Sequence, residues 1–434
     1  MDHQQDYVLR TVEERRVRLV RLWFTDVLGQ LKSVAISPVE LDAAFEEGVQ
    51  FDGSAIDGFS RVQESDVLAL PDPNSFQLMA ASEDDDVTAR IFCDIANLDG
   101  TPFEGDPRQV MRRNLGAAAD AGFEFMCAPE VEFFYFGDDD PGDALRPLDE
   151  ASYFDLTTND ASSGVRRRTI QRLEATGIPV EYSFHEDAPS QHEIDLRYTD
   201  ALTMADNVMA LRMIVREVAM ASGLHATFMP KPMEGVQGSG MHTHLSMWSA
   251  DANAFYDPDS ADGLSGVARS FIAGVLTHAP ELTAITNQLV NSYKRLVSGF
   301  EAPVSINWAH NDRSALVRVP VPKRGKESQG TRIEYRALDP ACNPYLAFSV
   351  LLAAGLKGVK EGYELAPEAA PGDVSAQLPH NLAAALEEME RSELVRECLG
   401  EHIFEWFLRN KRAEWDAYRA HVSSFELRRY LKAW

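Results

Sequence analysis

Cysteine is scarce in this 434-residue chain. Cys93, Cys127, Cys342 and Cys398 are widely spaced and form no C-x-x-C pair. That excludes a disulfide framework and a cysteine-ligated zinc site, and it fits a reducing compartment, the cytoplasm. No run of about 18 apolar residues occurs, so no membrane-spanning helix is expected. The opening Met-Asp-His-Gln-Gln-Asp has neither a basic nor an apolar segment, so no secretory signal is read there. Basic residues are outnumbered: 41 Lys and Arg against 68 Asp and Glu give a formal charge of −27. Nucleic acid and anionic membranes both demand a basic surface, so neither is expected as a partner. No internal repeat is visible.

What is present is ordinary in bulk. The chain is 45% hydrophobic and 25% charged, as soluble globular proteins are. Its length suits two to three domains, or one large domain with a smaller one attached. Val17 to Phe24 and Val34 to Ile36 read as strands around the turn Asp26-Val27-Leu28-Gly29. Pro38 to Glu47 reads as a short helix with Ser37 as N-cap. The acidic run Glu83-Asp84-Asp85-Asp86 reads as a solvated loop. Turn residues crowd Asp99 to Pro107, which marks a boundary, and Asp106-Pro107 opens a helix to about Ala121. Beyond it strands and helices alternate. The strands are Phe123 to Phe136, Val180 to Phe184, Glu193 to Tyr198, Ala226 to Met229, Met241 to Trp248, Arg313 to Pro320 and Thr331 to Ala337. Helices are expected at Ser162 to Thr176, Ala201 to Ser222, Leu264 to Ala279, Pro344 to Gly362 and, with breaks, Leu382 to Tyr418.

Three of those strands carry ionic groups on one face. Glu130 and Glu132 are two apart, as are His242, His244 and Ser246, and as are Arg332, Glu334 and Arg336. Residues i and i+2 of a strand share a face, so packing groups such as Ile333 and Tyr335 point the other way. Taken singly, each stripe has an ordinary explanation as a solvated face. Taken together they are best explained by one cavity holding cations and anions. Glu186 and Glu193 flank a loop of sequence His-Glu-Asp-Ala-Pro-Ser-Gln-His-Glu. With Glu130, Glu132, Glu334 and His242 they make a donor set suited to two hard divalent ions, Mg²⁺ or Mn²⁺. Arg295, Arg313, Arg318, Arg332 and Arg336 supply the complementary charge, in a form that binds carboxylate and phosphate bidentately.

These residues stand in a wider pattern. Phe-Asp-Gly-Ser (51–54), Pro-Glu-Val-Glu-Phe-Phe (129–134), Gly-Ser-Gly-Met-His-Thr-His-Leu-Ser (238–246), Asn-Ser-Tyr-Lys-Arg-Leu-Val (291–297), Asn-Asp-Arg-Ser-Ala-Leu-Val-Arg-Val-Pro (311–320) and Arg-Ile-Glu-Tyr-Arg (332–336) resemble glutamine synthetase of the bacterial type. The match runs in order over nearly the whole chain. It looks most similar to the second, non-adenylylated type of actinobacteria, and no Tyr lies between Leu365 and Leu382 to be modified. The resemblance implies an α+β fold: a β-grasp domain over 1–104 and a catalytic domain over 105–434, with a curved antiparallel sheet flanked by helices. It implies a dodecamer of two stacked six-membered rings, with Asp52 reaching into the next subunit's cavity.

Carried over by position, Glu132, Glu186 and Glu193 resemble the ligands of one metal, and Glu130, His242 and Glu334 those of a second. Glu181, Tyr198, His244, Ser246, Arg313, Arg318 and Arg332 resemble the ATP-binding positions. Gln237, Gly238, Arg295, Glu301 and Arg336 resemble the glutamate-binding positions. Asp52, Tyr153, Glu186 and Glu301 resemble the ammonium pocket, with Glu301 on the closing flap, and Arg313 the arginine facing the transferred phosphate. The implied activity is ATP-dependent ligation of ammonia to the γ-carboxylate of L-glutamate. Two positions depart from the pattern: Ala55 stands where a second serine is usual, and Gln237 where asparagine is. A lost hydroxyl removes a hydrogen bond worth about 1 kcal/mol and opens the alternative of a polyamine or other primary amine as acceptor. A non-catalytic assembly protein is the remaining alternative, and the intact ligand set argues against it.

Overall fold

The computed structural model describes residues 3–58, 66–79, 87–138, 140, 145–156, 158–370 and 375–434. The acidic run Glu83–Asp86 lies outside them. Among the described residues an N-terminal unit holds six strands. Five lie in the order Leu31–Ile36, Leu19–Thr25, Thr88–Ala96, Asp66–Pro71 and Val49–Asp52, and Gln77–Met79 also pairs with Thr88–Ala96. Leu19–Thr25 and Thr88–Ala96 run parallel and their neighbours antiparallel. Alternation along Leu19–Thr25 buries Val20, Leu22 and Phe24 in a core with Ile91, Cys93, Ile95 and the unforeseen helix His3–Glu14. Only Val8 and Val12 of that helix are buried.

The second sheet has ten described strands. Its main path is Trp308–His310, Val317–Val319, Ile333–Tyr335, Thr243–Ser249, Glu124–Phe136, Gln191–Leu196 and Val180–His185. All pairs are antiparallel except Trp308–His310 with Val317–Val319, so the sheet is mixed rather than purely antiparallel. Helices Pro107–Asp120, Ala201–Ala221, Gly266–Thr286 and Pro344–Glu361 contribute buried faces to the same core. The strands expected at 313–320 and 331–337 shorten to Val317–Val319 and Ile333–Tyr335. Ser37 stands at the expected cap position, but its side chain makes no capping bond; Pro38–Glu40 is a 3₁₀ turn leading into Leu41–Glu47.

The helix expected to end at Ala279 runs through Pro280 to Thr286. Proline there removes one helical hydrogen bond and costs about 3 kcal/mol. Packing offsets it. Gly274 lies against Ala354 and Gly358 of Pro344–Glu361 so closely that a Cβ would strike that backbone. The two helices approach there with no side chain between them.

A buried ionic knot joins the two units. Arg108 follows the cap formed by Asp106, whose carboxylate accepts from Arg108 N at 2.9 Å. Its guanidinium reaches Asp72 at 2.8 Å, Asp94 at 2.5 Å and Asp206 at 3.0 Å. Asp72 and Asp94 belong to the N-terminal unit, and Arg112 binds both as well.

Candidate active site

Strand register assembles the ionic stripes. Thr243 pairs with Tyr335 on one side and with Pro129 on the other. His242, His244, Glu130 and Glu334 therefore meet on one face. Glu130 Oε2 lies 3.4 Å from His242 Nδ1, and Glu130 Oε1 accepts from His244 Nε2 at 2.8 Å. Glu334 Oε1 lies 3.9 Å from His242 Nδ1. Glu334 is fully buried and is clamped by Arg318 Nε and Arg336 Nη1. On the next strand Glu132 opposes Glu193, and Glu130 opposes Asp195.

One cavity of about 630 Å³ collects Glu130, Glu132, Tyr153, Glu186, Glu193, Gln237, Gly238, His242, Arg295, Glu301, Arg313, Arg318 and Arg336. A second, of about 330 Å³, adjoins it and is lined by Glu181, Tyr198, His244, Ser246 and Arg332. Glu130 and Asp195 border both. Of the candidate residues two line neither cavity: Glu334, fully buried beside His242, and Asp52, which stands apart at the end of Val49–Asp52 in the N-terminal unit.

The donors fit divalent ions. Glu130, His242 and Glu334 each offer a ligand atom within 4.8 Å of the others. His242 Nε2 is buried with no hydrogen-bond partner. Burial and neighbouring Glu132 push Glu186 up to about 8, and burial with Asp195 and Glu132 raises Glu193. A clustered set of carboxylates held this way is relieved by cations. Burial opposes ionisation of Glu130 and Glu334 too. The imidazoles of His242 and His244, with Arg336 beside Glu334, outweigh it and hold both below the ordinary range. Asp160, His185 and His192 form another close group, but Arg166 Nη1 already sits 2.6 Å from Asp160 and 2.7 Å from His192 Nδ1. A guanidinium there takes the place a cation would need.

The anion side is equally built. Arg295 is 1% exposed, and its guanidinium donates to the carbonyls of Arg336, Ala337 and Leu338. None of those bonds cancels its charge, so an anion is favoured beside it. Arg313 hydrogen-bonds Tyr153, and Arg332 Nε donates to His244 Nδ1 at 3.2 Å. Glu301 holds φ 55°, a left-handed backbone that a non-glycine residue adopts at some cost, two residues after Gly299 at φ 91°.

Chain-wide similarity agrees with this geometry. The model of the glutamine synthetase catalytic domain matches residues 104–430, and that of its β-grasp domain residues 16–98. The chain belongs to the glutamine synthetase family. A protein of Mycolicibacterium smegmatis named glutamine synthetase is 55% identical, over 99% of this chain and 100% of that one. One of Methanosarcina mazei with the same name is 45% identical over 98% of this chain and 97% of its own. A solved structure titled as GmaS in complex with ADP matches with TM-score 0.88 and 31% identity, over 98% of this chain and 99% of that one.

Sequence reading missed three groups in this glutamine synthetase fold. Asp195 stands two residues past Glu193 on the same strand, so alternation alone pointed to it. Gln191 Nε2 donates to Glu132 Oε2 at 2.8 Å and orients it. Gly240 donates its N–H to the same oxygen at 2.9 Å. A Cβ on Gly240 would lie 2.6 Å from Arg295 Nη2 and 3.1 Å from both Glu132 Oε1 and His242 Nε2. Glycine is required because three site groups converge there.

Proposed function

We propose that this chain ligates ammonia to the γ-carboxylate of L-glutamate at the expense of ATP, through γ-glutamyl phosphate, releasing glutamine, ADP and phosphate. The observation that carries this reading is the convergence of five metal-type donors and four arginines around one cavity, with Glu334 buried behind His242, that adjoins a second, aromatic-rimmed one. Glu132, Glu186 and Glu193 would hold one divalent ion and Glu130, His242 and Glu334 another. Bound there, Mg²⁺ or Mn²⁺ would supply charge neutralisation for the phosphoryl group in flight.

The chain's own residues do the rest. Arg295, Arg336, Gln237 and the Gly238 backbone orient glutamate, and Tyr198, Glu181, Ser246, His244 and Arg332 line the nucleotide's place. Arg313 and Arg318 face the charge that develops on the transferred group, where preorganised positive charge lowers the barrier most. The acyl phosphate then meets a neutral amine. Asp52, with Tyr153 and Glu186, takes the proton from ammonium, and Glu301 closes over the cavity to exclude water. Asp52 lines neither cavity of its own chain. That favours an assembly in which it serves a neighbour, a dodecamer of two six-membered rings, with 1–104 and 105–434 as the two units. The cytoplasm suits free cysteines and ATP; among the described residues no helix is long and apolar enough to cross a membrane. An amine acceptor is not favoured, because the 55% and 45% identical relatives are named glutamine synthetase.

Glutamate labelled with ¹⁸O in its γ-carboxylate tests the intermediate. Phosphate released with ammonia should carry one labelled oxygen. Unlabelled phosphate would remove the acyl phosphate from the scheme.

A further inference from the structure

A further cavity, of about 640 Å³, shares no lining residue with either cavity of the active site. Strand Leu19–Thr25 gives it Arg21 and Trp23, and helix Ala201–Ala221 gives it Met209, Arg212, Met213 and Arg216. It therefore lies where the N-terminal unit meets the catalytic one, and its volume suits a small organic molecule. Its charges do not balance. Of the lining groups, Lys32 is paired with Asp26 at 3.3 Å, Glu217 with Arg172 at 3.1 Å and Glu414 with Lys411 at 2.9 Å. Among the described residues no carboxylate lies within ion-pair distance of Arg212 or Arg216, and Asp339 acts on Arg212 only as a longer-range charge. Arg212 is 7% exposed. Its Nη2 donates to the Cys342 carbonyl at 2.7 Å, its Nη1 meets the Met209 sulfur, a weak acceptor, at 3.7 Å, and its Nε is buried with no partner. Arg216 stands one helical turn on, a like charge on the same face, over the ring of Phe228. Burial lowers both arginines, the mark of cations held without a counter-charge. Gln288 is 2% exposed and donates to the carbonyls of Leu28 and Ala341, which leaves its Oε1 buried with no partner. Arg212 and Gln288 are thus anchored on successive carbonyls, those of Cys342 and Ala341, and present unused donors and an unused acceptor side by side.

We propose that this cavity binds a small organic carboxylate with an apolar body and a hydrogen-bond donor of its own. The carboxylate sits on Arg212 and Arg216, a guanidinium pair suited to bidentate anion binding. The donor faces Gln288 Oε1, and the body packs against Trp23, Met209, Met213 and Phe228. Methionines adapt their shape to such a guest, so the site selects by charge and apolarity more than by outline. The ligand touches both units at once and neither active-site cavity, which makes this a separate binding site rather than a subsite of the ligase reaction.

The test is a calorimetric titration of the full chain, as assembled, with 3-phenyllactate, which carries a carboxylate, a hydroxyl and a ring. A non-hydrolysable ATP analogue and glutamate are kept saturating, so that the active site is occupied. One molecule should bind per subunit. 3-Phenylpropionate, without the hydroxyl, should bind several-fold more weakly, and 2-phenylethanol, without the carboxylate, should give no saturable heat. Arg212→Met and Arg216→Gln should each weaken 3-phenyllactate roughly tenfold or more. Melting curves check both variants, and if Arg212→Met does not melt cooperatively, Arg216→Gln decides alone. Equal affinity in the parent and the folded variants, or 2-phenylethanol binding as tightly as the acid, overturns the inference. So does the absence of any binding to the assembled protein, which would mean that another copy of the chain covers this face.

Discussion

Glu186→Gln in the metal-free protein measures the electrostatic load of the cavity directly. Burial and the charge of Glu132 raise Glu186 to about 8, so at pH 7 it is protonated in the fold and ionised in the unfolded chain. The folded state then binds more protons, and stability falls as pH climbs from the ordinary glutamate value towards 8. Each pH unit across that window costs about 1.4 kcal/mol for one such group. Between pH 6 and 8 the parent should therefore lose about 2 kcal/mol through this residue alone, a shift of a few degrees in melting temperature. Glutamine cannot ionise, so the variant should lack that part of the slope and melt above the parent at pH 8 in EDTA. Mn²⁺ should stabilise the parent more at pH 8 than at pH 6, because the ligands bind metal only when deprotonated. Melting curves at both pH values, with EDTA and with Mn²⁺, decide it. Equal pH slopes for parent and variant, or a variant less stable at pH 8 without metal, would refute the reasoning.

Other perturbations reach different parts of the molecule. Arg108→Met leaves Asp206 and Asp72 buried without their shared guanidinium and should cost about 3–5 kcal/mol in urea denaturation; a loss below about 1 kcal/mol would show that Arg112 suffices. Gly240→Ala pushes against Arg295, Glu132 and His242 together, so KM for glutamate and the Mn²⁺ requirement should both rise, roughly tenfold or more, in a protein that still melts cooperatively. Unchanged KM would mean the three groups have slack. Asp52→Ala should slow glutamine formation far more than the ammonia-independent release of phosphate, and equal loss of both would remove Asp52 from the acceptor side.

The stripes were readable because period-two alternation is a local property. Glu130 and Glu132, His242 and His244, and Glu334 and Arg336 each had apolar or small residues between them, and all six point where that spacing put them. Their meeting is not local. Thr243 pairing with both Tyr335 and Pro129 joins strands separated by about a hundred residues, and nothing in either stretch announces its partner. The pattern of the family supplied that link. Asp195 lies on the strand expected over 193–198, two residues past Glu193, but it is in none of the family motifs that single out Glu186 and Glu193. Helix Gly266–Thr286 runs seven residues past the expected end at Ala279, through Pro280, a strong local stop, and the close approach of Gly274 to Gly358 that accompanies this is tertiary and invisible in the local pattern. Helix His3–Glu14 carries only two buried residues, too thin a stripe to show above its charged surroundings.

The most direct measurement supplies the protein with glutamate, ATP and Mg²⁺ or Mn²⁺ and offers ammonium, ethanolamine, putrescine and spermidine in parallel. Glutamine and phosphate should appear one for one with ammonium, and the amines should release no phosphate above background. Phosphate release with an amine and none with ammonium would contradict the account.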